Sequence, residues 1–158
     1  MLDDLPIFPL SSVLFPGGVL PLRIFEPSYM DMVRERMQRD APFGICLITR
    51  GGEVGANRLI KAKVELLPDD PQMPIPQEMN DWVALISRIV DELRTREPDP
   101  ERRMIAEPCD FESAAWVANR IAEFMPIPTP AKHKLMTLDE PVARLSIVHR
   151  WLHQHQVI

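Results

Sequence analysis

The sequence predicts an α+β chain, rich in strands in its first half and helical in its second. Three observations predict it. Residues 59–67 alternate Leu59, Lys61, Lys63 and Glu65 with Ile60, Ala62, Val64 and Leu66. A period of two describes a half-buried strand with a polar outer face. Beyond Pro76 the period lengthens, and Trp82, Leu85, Ile86, Ile89, Val90 and Leu93 recur at helical spacing. Throughout, 17 prolines against 6 glycines cut the chain into short elements, because proline fixes φ and removes a backbone donor.

The elements follow in order. Residues 5–10 are apolar but broken by Pro6 and Pro9, which favours an edge strand. After Val13-Leu14-Phe15, Pro16-Gly17-Gly18 reads as a turn. Residues 19–25 read as a strand with Leu20, Leu22 and Ile24 on one face and Arg23 on the other. Pro27 suits the first turn of a helix through about residue 39, with Met30, Val33 and Met37 as its buried stripe. Residues 43–49 form a further strand, stopped by Gly51-Gly52. In the second half, a helix starting near Pro108 or Asp110 turns Trp116, Val117, Ile121 and Phe124 one way. Thr129 caps a short helix near 132–136, with Pro130 at its first position, and Asp139 caps a last helix faced by Val142, Leu145, Val148 and Leu152. Trp82, Trp116 and Trp151 are all assigned to bundle core. No internal repeat or low-complexity tract interrupts this order.

Composition narrows the function. Hydrophobic residues make up 46% of 158, enough for a core and against wholesale disorder. The net charge is -5 and neither half is basic, so nucleic acid and anionic membranes are not expected partners. No run of about 18 apolar residues could span a bilayer, and the start, Met1-Leu2-Asp3-Asp4, lacks a basic signal-peptide region. Cys46 and Cys109 form no CxxC. Cys46 reads as a small core residue, and a reducing cytoplasm is the natural compartment.

The candidate chemistry is thin. Gly51-Gly52-Glu53-Val54-Gly55 lacks the lysine and hydroxyl of a phosphate-binding loop and reads as a turn. Ser11 and Ser12 have no nearby base and no nucleophile elbow. His149 and His153 stand four apart on one helix face, as two zinc ligands must, but no glutamate completes an HExxH motif. A solvated histidine face near the helix C-terminus is the plainer reading, and no metal or cofactor is expected. Asp69-Asp70 lies between prolines and reads as a solvated turn. Arg23 and Glu26 could touch a ligand's polar backbone, but an ion pair pinning strand to helix is favoured. Phe15, Phe25 and Tyr29 are more often core than binding surface in such a setting.

Several fragments occur together in the first forty residues. They are Leu5-Pro6-Ile7-Phe8-Pro9-Leu10, Val13-Leu14-Phe15-Pro16-Gly17, and Leu20-Pro21-Leu22-Arg23-Ile24-Phe25-Glu26-Pro27, followed by Tyr29 and Met32. Their order and spacing resemble the opening of the N-terminal, substrate-recognition domain of the Lon protease family. Phe124-Met125-Pro126-Ile127, Lys132, Leu135-Met136 and Arg144-Leu145 are similar to that family's closing helices. Ser28 and Thr137 depart from it, standing where a basic and an acidic residue are usual.

The resemblance implies a PUA-like β-barrel over residues 1–70 and a helical bundle over 76–158. It implies a non-catalytic, cytoplasmic module, a stand-alone form without ATPase or protease parts, whose partners are unfolded or tagged polypeptides. Phe15, Arg23, Phe25, Glu26 and Tyr29 are its candidate peptide-binding residues, in an apolar groove between barrel and bundle. A homo-oligomer is left open. The alternative is a small metal-dependent hydrolase using the C-terminal histidines. The middle is short for the family: about 20–40 residues of strand and turn are missing before Leu59. Either the protein lacks them or the sequence skips a segment at Ala56-Asn57. The last helix runs to Val157-Ile158 without a linker, so no further domain is expected.

Overall fold

The structure, a computed structural model, describes residues 2–49 and 59–156. The suspected seam at Ala56-Asn57 and the Gly51-Gly52 turn lie outside them. Among the described residues the architecture is α+β: a small three-stranded sheet and five α-helices. The chain divides into two compact units. The first comprises Met1–Val13 and Pro21–Pro68, the second Leu14–Leu20 and Asp69–Ile158.

In the first unit, β1 (Leu2–Leu10), β2 (Gly44–Leu47) and β3 (Ile60–Val64) form a sheet of order β2-β1-β3. β1 is central, not the edge strand its prolines suggest. It pairs antiparallel with β3 from Leu2 to Ile7 and parallel with β2 from Ile7 to Leu10. Each half therefore has one partner. The Leu10 carbonyl accepts from Ile48 N–H at 2.8 Å on the β2 side. Alternation along the strand then turns Pro9 toward the side where pairing with β3 has ended, and Pro6 toward the side where β2 has not begun. Neither missing donor breaks a ladder. β3 keeps the expected alternation, with Lys61 and Lys63 exposed.

Residues 19–25 differ from expectation. Leu22 and Ile24 do pack on the core of Phe8, Tyr29 and Met32, but no strand forms. Pro21 offers no donor, and no described strand runs beside the segment. Helix α1 (Pro27–Gln38) buries Tyr29 and Met32. The stripe is thus displaced from the expected one, and Met30 and Met37 are exposed. Tyr29 closes edge-on against Phe8, ring centroids 4.7 Å apart, and that aromatic contact sets the helix's rotation. Cys46 is exposed rather than core, because Ile45 and Leu47 take the inner face of β2.

The second unit is helical: α2 (Asn80–Arg96), α3 (Ala114–Phe124), α4 (Thr129–Met136) and α5 (Pro141–Gln154). Helix α3 packs against the other three and is buried almost all round, as a central helix must be. Ala114, Ala115, Ala118 and Ala122 let its neighbours approach, while Val117 and Ile121 meet a core that includes Ile86, Val90, Leu145, Val148 and Leu152. Trp82 is buried, but Trp116 and Trp151 are only half-buried. Ser113 caps α3 through Trp116 N–H. The cap of α5 is Glu140 rather than Asp139, since its carboxylate accepts from Val142 and Ala143 N–H.

Two buried arginines organise this unit. Arg144, 1% exposed, places all five of its N–H donors. It forms a fork with Asp70 at 2.8 and 3.0 Å, bonds the Asn119 amide oxygen at 2.7 Å, and donates to the carbonyls of Leu135 and Leu138. Asp70 is therefore no solvated turn residue. Its bonds to Arg144 hold its pKa below the usual carboxylate value. Arg120, also 1% exposed, reaches the carbonyls of Pro16 at 2.8 Å and Gly17 at 2.5 Å. That fastens the Pro16-Gly17 turn, where Gly17 holds φ of +70°, onto α3. Glu123 sits 2.9 Å from Arg120 Nε, and burial pushes its carboxyl up to about 7.

Candidate functional site

The first unit contains a cavity of about 290 Å³ lined by Phe8, Pro9, Leu10, Arg23, Ile24, Phe25, Glu26, Tyr29 and Ile48. Each wall has a local cause. The β1 pleat turns Phe8 and Leu10 to the core face. Ile48 continues β2 and is held by its bond to Leu10. The extended segment before α1 places Ile24 inward and leaves Phe25 83% exposed at the mouth. Glu26 is the N-cap of α1, and its carbonyl accepts from Tyr29 N–H at 3.1 Å and Met30 N–H at 3.0 Å. Its carboxylate makes no capping bond, although an N-cap side chain usually does.

Four of the five residues singled out from the sequence line this one cavity: Arg23, Phe25, Glu26 and Tyr29. Phe15 does not. It is 1% exposed in the second unit, as core. The expected ion pair between Arg23 and Glu26 is not formed among the described residues; both side chains are exposed. Tyr29 is buried, and its hydroxyl has no hydrogen-bond partner among the described residues. Burial first, then the charges of Glu26 and Cys46, raise its pKa above the ordinary phenol value. It is thus a neutral donor at any physiological pH. Ile48 had no functional signal in the sequence; only the register of β1 against β2 brings it here.

The remaining candidates are occupied structurally. His149 Nδ1 accepts from Trp82 Nε1 at 2.7 Å. The His149 and His153 rings lie 4.5 Å apart, and no group of three His, Cys, Asp or Glu among the described residues could hold a metal. Cys109 lies 3.4 Å from a Glu107 oxygen, and burial pushes its thiol up to about 11, which opposes nucleophilic use. No helix of the described residues is long and apolar enough to cross a membrane.

Comparison with known proteins places these features. Residues 4–61 match the model of the ATP-dependent protease La (LON) substrate-binding domain. That stretch includes every residue lining the cavity. No curated protein matches the chain. Among solved structures, the Lon N-terminal domain protein from Xanthomonas campestris superposes with a TM-score of 0.68 at 24% identity, over 95% of this chain and 99% of that one. Residues 4–61 thus carry the match to the Lon substrate-binding domain, and over most of its length the chain has the fold of a Lon N-terminal domain protein.

Proposed function

We propose that the chain is a non-catalytic module that binds unfolded or tagged polypeptide, and that the cavity of the first unit is where it binds. The carrying observation is the coincidence of the family-matched segment with a cavity whose mouth presents an exposed phenylalanine. Ligand sites are concave and mostly apolar with a few polar groups, and an aromatic ring at the mouth offers a ligand a large contact area. As part of this reading, β1, β2 and β3 are three strands of a PUA-like barrel, and Phe25, Arg23, Glu26 and Tyr29 contact the ligand. The hydrolase alternative has nothing comparable behind it, since His149 is tied to Trp82.

The test is titration with one model protein in unfolded and folded forms, at low and high salt. Weak binding, micromolar or poorer, is expected for the unfolded form; about 10 μM corresponds to roughly 7 kcal/mol. It should persist at high salt, because apolar contacts are not screened. Equal affinity for both forms would sink the proposal, as would loss of all binding above physiological salt.

A further inference from the structure

The rim of the cavity carries more information than its apolar wall. Arg23 and Glu26 are opposite in charge and three positions apart. They line the same cavity and make no ion pair with each other among the described residues. Glu26 is also released from the duty its position usually imposes, since its carboxylate caps nothing. One strong donor and one strong acceptor therefore line the same cavity without engaging each other. Behind them, the Tyr29 hydroxyl is a buried polar group without a partner.

A ligand that is only apolar leaves all three groups unused. A carboxylate ligand meets Glu26, and an ammonium meets Arg23, so a charged group of either sign gains from one and is repelled by the other. A neutral group carrying both a donor and an acceptor uses both. A residue of an extended polypeptide, whose main-chain N–H and C=O point to the same side, is such a group.

Resting on the peptide-binding reading above, we infer that the cavity takes one apolar side chain of an extended polypeptide and clamps that residue's own main-chain N–H and C=O at its rim. Arg23 donates to the peptide carbonyl and Glu26 accepts from the peptide N–H. Tyr29 offers its hydroxyl to a further carbonyl. Recognition of backbone with a single apolar anchor is tolerant of sequence but demands a chain free of its own secondary structure. The clamp therefore selects unfolded segments whose residues next to the anchor are uncharged.

The probe is a short glycine–serine peptide with one central phenylalanine, compared with the same peptide N-methylated at that phenylalanine. Affinities are read by fluorescence anisotropy for the native chain and for Arg23→Ala, Glu26→Ala and Phe25→Ser. All three positions are exposed, so the variants fold. N-methylation should weaken binding to the native chain about tenfold, the size of one charge-assisted hydrogen bond. Glu26→Ala should weaken the parent peptide to the same extent and leave the methylated peptide unchanged. Arg23→Ala should weaken both peptides alike. If the losses from methylation and Glu26→Ala multiply instead, Glu26 does not hold the N–H and the inference fails. If only Phe25→Ser weakens binding, the apolar site stands and the clamp is wrong. If neither peptide binds, the peptide-binding reading falls and the clamp falls with it.

Discussion

The two units treat their side chains in opposite ways. The second unit turns even its charges inward: Arg120 and Arg144 are each 1% exposed and engaged by carbonyls and carboxylates. The first unit turns apolar groups outward. Phe25, Met30, Met37, Ile48, Leu66 and Leu67 are exposed there, against Val19, Met104 and Ile147 in the larger second unit. A unit that draws its charges into contact with carbonyls and carboxylates is built to hold its shape. One that leaves polar and apolar groups unspent at its surface is built to meet something.

The largest effect that would sharpen this contrast is on stability. Arg144→Ala leaves Asp70 and Asn119 facing a void, and removal of one partner from a buried ion pair typically costs about 3–5 kcal/mol. Chemical denaturation should show a loss of that order. A loss below about 1 kcal/mol would mean that the network is ornamental and the contrast overstated.

A middle effect is expected with pH, and here two carboxylates in the second unit act with opposite sign. Asp70 has a depressed pKa. Its contribution is present above the ordinary carboxylate value and is lost as pH falls through the folded-state value. Glu123 is raised to about 7. The folded state then binds the extra proton between the ordinary value and 7, so Glu123's contribution is fullest in acid and is lost as pH rises through about 7. Denaturation at a series of pH values should show Glu123→Gln flattening the decline on the neutral side while leaving the acid limb in place. An unchanged profile would mean that the carboxylate is not held neutral by burial.

How much of this was legible beforehand depends on what each residue had to reveal. The β3 alternation could be read directly, because its lysines and apolar residues separate cleanly by period. The prolines of β1 suggested an edge strand and β1 is central, because a strand paired on different sides in its two halves cannot be inferred from one strand alone. In residues 19–25 the faces were legible and the absence of a ladder was not, since a ladder belongs to a pair. Helix α1 carries Tyr29, Met30, Met32, Val33 and Met37, too many apolar positions for periodicity to choose one stripe; Phe8 chose it. Arg120 and Arg144 gave no sign of burial, because arginine is solvated by default and its partners lie far away in sequence. At the candidate site, four of the five signature residues line one cavity, yet buried Phe15 could not be separated from exposed Phe25 without the fold.

The smallest effect on stability should accompany a large one on binding. Phe25→Ser removes a ring that contributes little to packing, so stability should change by less than about 0.5 kcal/mol. Affinity for the unfolded model protein should fall about tenfold, as for loss of one aromatic anchor. A variant that is destabilised by several times that amount, yet binds normally, would reverse the contrast drawn between the units.

The fastening of Gly17 to Arg120 also bears on how the protein is made. The two residues are 103 positions apart. At roughly 5–20 residues per second of translation, the Pro16-Gly17 turn leaves the ribosome about 5–20 seconds before the arginine that receives it. Throughout that interval the turn has no Arg120 to hold it, and for most of it strand β1 and helix α1 have already emerged. The nascent chain therefore carries Phe15, buried in the finished protein, before the rest of the second unit exists to bury it.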